Sequence, residues 1–183
     1  MKTGITLRWR ELLPEDRWAP LWECGLLLVI GAGAWAAREP WLFTSLGPTA
    51  YEQVEKSNSP SARTYNILVG HYVALGAGLI SLHLIGAWNS PTITGTSSVS
   101  LQRLLASVLA AAITTFVNLA LRSGQPAALA TALLVTSGAY QDIRGTESIL
   151  IGVAMVAVLG EPVRRARLSS RHRQQEQQVQ GKL

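Results

Sequence analysis

Charged residues gather in three places, residues 2–17, 52–63 and 161–176, and the chain between them is largely apolar. Leu21–Ala37, Ile67–Trp88 and Leu104–Leu121 each come close to the ~20 residues a helix needs to cross the hydrocarbon layer. None of the three carries a charge in its middle; Glu23 sits near the start of the first, within reach of the interface. A fourth run, Ser148–Leu159, is shorter and extends back toward Arg144. Two further apolar stretches, Phe43–Val54 and Ala127–Gly138, are too short to span. The first contains Ser45-Leu46-Gly47-Pro48-Thr49, and Ser123-Gly124-Gln125-Pro126 leads into the second. Proline suits a first helical turn, where its missing N–H has no partner to lose. Both stretches are expected to be half-helices that enter the membrane region without crossing it.

The pattern predicts an all-α membrane protein with about four transmembrane helices plus two short half-helices in two repeated halves. Asn66-Ile67-Leu68-Val69-Gly70 resembles Ser148-Ile149-Leu150-Ile151-Gly152, and Pro48 has a counterpart in Pro126. Each half then reads long helix, short helix, long helix. Paired interrupted segments in a duplicated unit point to a transporter or channel site between the halves. Three parts are expected: an interfacial polar segment over 1–19, a membrane domain over 20–162, and a basic, disordered tail over 163–183.

Charge and composition sharpen this picture. The formal net charge is +5, much of it from Arg164, Arg165, Arg167, Arg171, Arg173 and Lys182. Directly after an apolar span, such a tail reads as a cytoplasmic flank facing anionic lipid, not as a nucleic-acid surface. The positive-inside rule then puts both termini in the cytoplasm of a plasma membrane, bacterial inner membrane being the expected one. It leaves the Lys56–Arg63 loop facing outward, against the rule. Trp18, Trp22, Trp41 and Trp88 fall at segment ends, where indole rings favour the headgroup level. Cys24 is the only cysteine, so no internal disulfide and no cysteine metal site is expected.

Little of the sequence points to catalysis. Gly31-Ala32-Gly33-Ala34-Trp35-Ala36 follows an apolar run and matches a dinucleotide fingerprint. That motif needs an alternating strand–helix fold, and Pro40 would end its helix within two turns, so glycine packing in a spanning helix is the better reading. No carboxylate pair, nucleophile–base set or metal cluster stands out, so neither an enzyme nor a cofactor is expected. The half-helix starts carry two readings. A helix N-terminus offers unpaired N–H groups and partial positive charge, so two of them meeting inside the bilayer suit a small anion, helped by Ser45, Thr49, Ser123 and Gln125. They are equally tight loops between helices. His71 is either a substrate or proton group or a satisfied helix-end histidine. Asn118, inside the third span, reads as a helix-to-helix bond.

Ser45-Leu46-Gly47-Pro48-Thr49-Ala50, a polar loop with Pro60, and Asn66-x-x-x-Gly70-His71 together resemble the HPP family of integral membrane proteins. That family's second landmark, a His-Pro-Pro run opening a short helix, corresponds to Gly124-Gln125-Pro126, where only Pro126 is kept. The resemblance covers roughly residues 20–162. It implies a four-span protein that conducts or carries a small anion, nitrite first, since some plant and cyanobacterial members are linked to nitrite transport. The half-helix starts would line the site, with substrate contacts expected at Ser45, Gly47, Pro48, Thr49, Ser123, Gly124, Gln125 and Pro126, helped by Asn66 and His71. The departure at Gly124 and Gln125 implies an altered substrate or lost transport. Membrane lipid, the anion and further copies of the chain are the expected partners, since four helices enclose little pore. The competing reading is a non-transporting scaffold whose basic tail binds lipid or a protein.

Overall fold

The computed structural model describes residues 16–96 and 98–180. Most of the expected interfacial segment, residues 1–15, lies outside them. Seven α-helices follow in chain order: α1 Ala19–Ala37, α2 Leu46–Glu55, α3 Thr64–Leu84, α4 Ile93–Thr96, α5 Leu101–Ala120, α6 Ala127–Thr136 and α7 Ile143–Gln180. Four of them, α1, α3, α5 and α7, are long and apolar enough to cross a membrane. Local chemistry sets their limits. Pro20 lies in the first turn of α1. The Ser100 hydroxyl caps α5 by accepting from the Arg103 amide at 3.2 Å. Asp142 accepts from the Gly145 amide at 3.0 Å at the head of α7.

Side-chain contacts fix the directions of the four long helices. The end of α1 meets the start of α7 through Glu39 and Arg144, at 2.8 Å. The start of α1 faces the end of α7, where Trp18 and Trp22 share a cavity with Arg167. These two helices are therefore antiparallel. Helix α3 also opposes α7, because Thr64 reaches Glu161 while Tyr72 donates to the Leu150 carbonyl. Helix α5 opposes α3, with Tyr65 donating to the Leu121 carbonyl. So α1 and α3 run one way, and α5 and α7 the other. The face holding the start of α1 and the end of α7 is here the terminal face.

Two parallel long helices, α1 and α3, require the chain to return between them. An extended lead-in brings it back inside, and α2 completes the return. A Cβ on Gly152 of α7 would strike the Trp41 carbonyl, so this glycine lets the lead-in pass at mid-depth. Farther along, Arg167 of α7 donates to the Val54 carbonyl at the end of α2. Gly152 lies nine residues into α7, roughly 14 Å from the opposite face. Helix α6 does the same from the other side. Gln125 packs on Gly70, and Val135 on Gly78, so α6 runs parallel to α3 and ends beside Arg103 at the start of α5. The short helices thus finish crossings that their lead-ins begin, and do not merely dip in as the sequence suggests. The second half repeats the first with its direction inverted.

This topology puts the Lys56–Arg63 loop on the terminal face, because Arg164 of α7, one turn before Arg167, donates to the Ser57 carbonyl at 3.1 Å. The basic loop and the basic tail share a side, and the conflict with the positive-inside rule disappears. The tail itself corrects another expectation. Residues 163–180 continue α7, which at 38 residues is roughly 57 Å long and outreaches a ~30 Å hydrocarbon layer. Glu161 holds Arg164 and Arg165 at 2.7 Å each, one helical turn on. The outer surface is apolar: Leu28, Val29, Trp35, Val108, Phe116 and Leu119 are all exposed. In a membrane this is the lipid-facing side.

Candidate functional site

Where α2 and α6 cross, four polar side chains lie wholly out of solvent: Ser45, Thr49, His71 and Thr131, each 0% exposed. His71 joins both short helices. Its Nε2 is 3.0 Å from the Thr49 hydroxyl and its Nδ1 is 2.7 Å from the Thr131 hydroxyl. Thr131 is also 2.8 Å from the Ser45 hydroxyl.

One bond in this cluster has a fixed direction and orders the rest. The Thr49 hydroxyl donates to the Ser45 carbonyl at 2.8 Å, since a carbonyl only accepts. Thr49 then accepts from His71 Nε2–H, which leaves Nδ1 as an acceptor. Thr131 donates to Nδ1, and Ser45 donates to Thr131. Every polar group of the four is satisfied with a neutral imidazole carrying its proton on Nε2. The cluster is a closed polar clasp with no donor left over for a ligand.

The start of α6 forms a second, separate cluster. Asn66 donates to the Gly124 carbonyl at 3.4 Å, and Gln125 Nε2 to the Ser61 carbonyl at 3.3 Å. Gly70 is needed here, because a Cβ on it would sit 2.8 Å from Gln125 Cβ. The Asn-x-x-x-Gly-His pattern thereby acquires a physical meaning. Asn66 and Gly70 seat the α6 lead-in, and His71 clasps both short helices.

Several site expectations change against this geometry. The ten sequence-picked residues do not converge on one pocket. Ser45, Thr49 and His71 meet, whereas Asn66, Ser123, Gly124, Gln125 and Pro126 lie about one helical turn toward the terminal face. Pro48 and Pro126 are exposed and Gly47 is half-buried. The prolines are also not equivalent: Pro48 is the third residue of α2, and Pro126 precedes α6. Nor are the tips rich in unpaired amides. The Ala127 amide bonds Gln125 Oε1, Ala128 the Gln125 carbonyl, and Leu129 the Pro126 carbonyl. In α2 the Leu46 and Thr49 amides are bonded and Pro48 has none, which leaves only Gly47.

Two features were not singled out from sequence. Thr131 is the hydroxyl linking the halves, and nothing in its apolar stretch separates it from Thr136. Arg103, expected at the end of a span, is 0% exposed. Its guanidinium donates to the carbonyls of Thr136 at 3.1 Å, Ser90 at 2.6 Å and Pro91 at 3.4 Å, and to Gln141 Oε1 at 2.8 Å. It sits at the C-terminal, partially negative end of α6. Arg167 does the same for α2 through the Val54 carbonyl. Each short helix therefore ends on a buried arginine from a long helix.

The clasp lies between two cavities. One, about 970 Å³, opens on the opposite face where α1 turns into the α2 lead-in, lined by Arg38, Leu42, Tyr140 and Arg144. The other, about 550 Å³, opens on the terminal face where α5 turns into the α6 lead-in, lined by Thr114, Asn118, Gly124 and Gln125. The inverted repeat relates the two positions. Among the described residues no group of three or more histidine, cysteine or acidic side chains forms a metal cluster.

A family model described as HPP, transmembrane region, matches residues 21–171. No curated protein and no solved structure matches the chain.

Proposed function

The chain belongs to the HPP transmembrane family, and on that footing we propose that it moves a small monovalent anion, nitrite foremost, across the membrane. The observation that carries this reading is the pair of broken crossings, oppositely directed and clasped at a buried histidine, with a cavity beside the lead-in of each. Discontinuous helices at the interface of inverted repeats are where membrane carriers place their substrate sites. Such crossings cost stability, because each trades continuous helix for an irregular lead-in within the bilayer. A fold that keeps two of them puts polar backbone where a solute needs it.

The route runs between the two cavities, past the clasp. Because the clasp is saturated, it acts as a barrier in this conformation and not as the resting place of the anion. Passage then requires the contact between Thr131 on α6 and Ser45 on α2 to open, with His71 staying on one partner. We read the chain as a carrier and not an enzyme, with both termini on the cytoplasmic side, where the basic loop and the arginines of α7 gather. The test is uptake into proteoliposomes holding the purified chain. Nitrite entering faster than into protein-free vesicles is expected; equal rates overturn the proposal.

A second reading is favoured by one observation, the continuation of α7 as a helix that carries arginines at 164, 165, 167, 171 and 173 and runs on to Gln180. An arginine-rich helix suits anionic lipid or an acidic partner. Truncation after Ser170 separates the two readings, since transport survives it and scaffolding does not.

A further inference from the structure

The cavity on the terminal face contains a polar arrangement that the packing of the bundle does not use. Thr114, in the next-to-last turn of α5, is 1% exposed, and its hydroxyl has no hydrogen-bond partner. A threonine inside a helix ordinarily donates to the carbonyl four residues back, as Thr136 does to Ala132 at 3.0 Å. Thr114 does not, and it lines the cavity instead. Asn118 lies one turn on and is 6% exposed. Its Oδ1 accepts from the Ser123 hydroxyl at 2.9 Å, so the NH2 group is the end left to donate. Of the other polar groups lining the cavity, Thr115 is exposed, and the rest are bonded within the protein. Gln125 is fixed at both ends of its amide, by Ser61 and Ala127. Ser59 and Ser61 bond each other at 2.8 Å.

We propose that Thr114 and Asn118 form a subsite that selects a small monovalent anion at the terminal face of the transport route. The donor set is uncharged: among the described residues no lysine or arginine lines the cavity. Neutral O–H and N–H donors, beside the partially positive start of α6, compensate a single spread-out negative charge. They do not compensate the dehydration of sulfate or phosphate. The chemical class is therefore a weakly hydrated monovalent anion: nitrite, nitrate or a halide. Asn118, expected to bond another helix, instead holds Ser123 in the turn after its own helix and is left to serve the ligand, and Thr114 is a specificity residue. This inference rests on the transport reading for its place on a route, but not for its chemistry.

The test uses the full chain in lipid nanodiscs, with sodium nitrite as probe and sodium sulfate at equal ionic strength as control. Thr114→Val keeps the shape and removes a hydroxyl that bonds nothing in the protein. The expected result is nitrite affinity weakened about threefold to tenfold, with an anion-free melting temperature equal to or above that of the parent. A packing role alone would move the two together. Asn118→Ala is expected to weaken nitrite as well, with some loss of stability through Ser123. Unchanged nitrite affinity in Thr114→Val overturns the subsite, as does a parent protein that binds nitrite no better than sulfate. Binding with the expected Thr114 effect but no flux in vesicles would instead leave the subsite standing and remove the transport function. Flux with an unchanged KM in Thr114→Val would do the reverse.

Discussion

Replacing Thr131 by valine tests the clasp with the smallest change in shape. Thr131 gives its proton to His71 Nδ1 at 2.7 Å and receives one from Ser45 at 2.8 Å, and all three residues are fully buried. Valine fills the same volume, so no cavity contributes. Two bonds are lost, and the imidazole acceptor and the Ser45 hydroxyl are both stranded. Polar contacts between membrane helices are worth about 0.6–2 kcal/mol each, and stranding a buried group costs about 1–3 kcal/mol. Ser45 can turn its hydroxyl elsewhere on its own helix, so the loss should fall near the lower sum, about 2–4 kcal/mol. Reversible unfolding of the full chain in mixed micelles by rising detergent denaturant gives the value. His71→Ala in the same assay, and the double variant, complete a cycle with an expected coupling of about 1–2 kcal/mol. A Thr131→Val protein within about 0.5 kcal/mol of the parent, or a pair whose effects simply add, would refute the clasp between Thr131 and His71.

Three other outcomes follow from the same geometry. Arg103→Met should destabilise by about 3–5 kcal/mol, since four carbonyl-type oxygens lose a buried charged partner, and limited proteolysis should cut first near residues 88–92. Gly70→Ala should cost about 1–3 kcal/mol by pushing Gln125 off α3, visible as lower stability and slower flux; parent-like values in both would contradict the close approach. Glu161→Gln should leave the membrane core intact yet loosen α7 beyond residue 163, because Arg164 and Arg165 lose their shared carboxylate. Hydrogen exchange confined to residues 164–180 is the expected signature.

Much of the scaffold was legible because span length, tryptophan placement and proline position each follow from the physics of the bilayer and the first helical turn. Hydropathy gave the four long helices to within a few residues, apart from α7. That helix was cut short because the Arg- and Gln-rich stretch after Leu159 lacks apolar periodicity. Yet arginine, glutamine and glutamate are good helix formers, and Arg164 and Arg167 anchor the extension to the end of α2. Direction was the larger omission. A ten-residue helix such as α2 or α6 is too short to cross alone, and nothing in hydropathy says that an extended lead-in supplies the missing depth. Once that is known, the offset between Leu46 and Ala127 replaces the one between Pro48 and Pro126 as the true repeat.

The site was legible in its motif but not in its shape. Ser45, Thr49 and His71 stand out as polar residues in apolar surroundings and do meet. Gln125 and Ser123 stand out for the same reason, but Gln125 is spent on capping α6 and Ser123 on Asn118 at the end of α5. A sequence gives no means of telling a hydroxyl that bonds its own helix, such as Thr136, from one that faces a cavity, such as Thr114.

The most direct measurement is a disulfide between the two short helices. In a Cys24→Ser background, Ser45→Cys and Thr131→Cys place two thiols where the hydroxyls now lie 2.8 Å apart. Oxidation of the full chain in vesicles should link them in high yield and stop nitrite flux, and reduction should restore it. Thiols that remain free after oxidation would mean that α2 and α6 do not meet inside the membrane; flux that continues through the linked protein would mean that the clasp is not on the route.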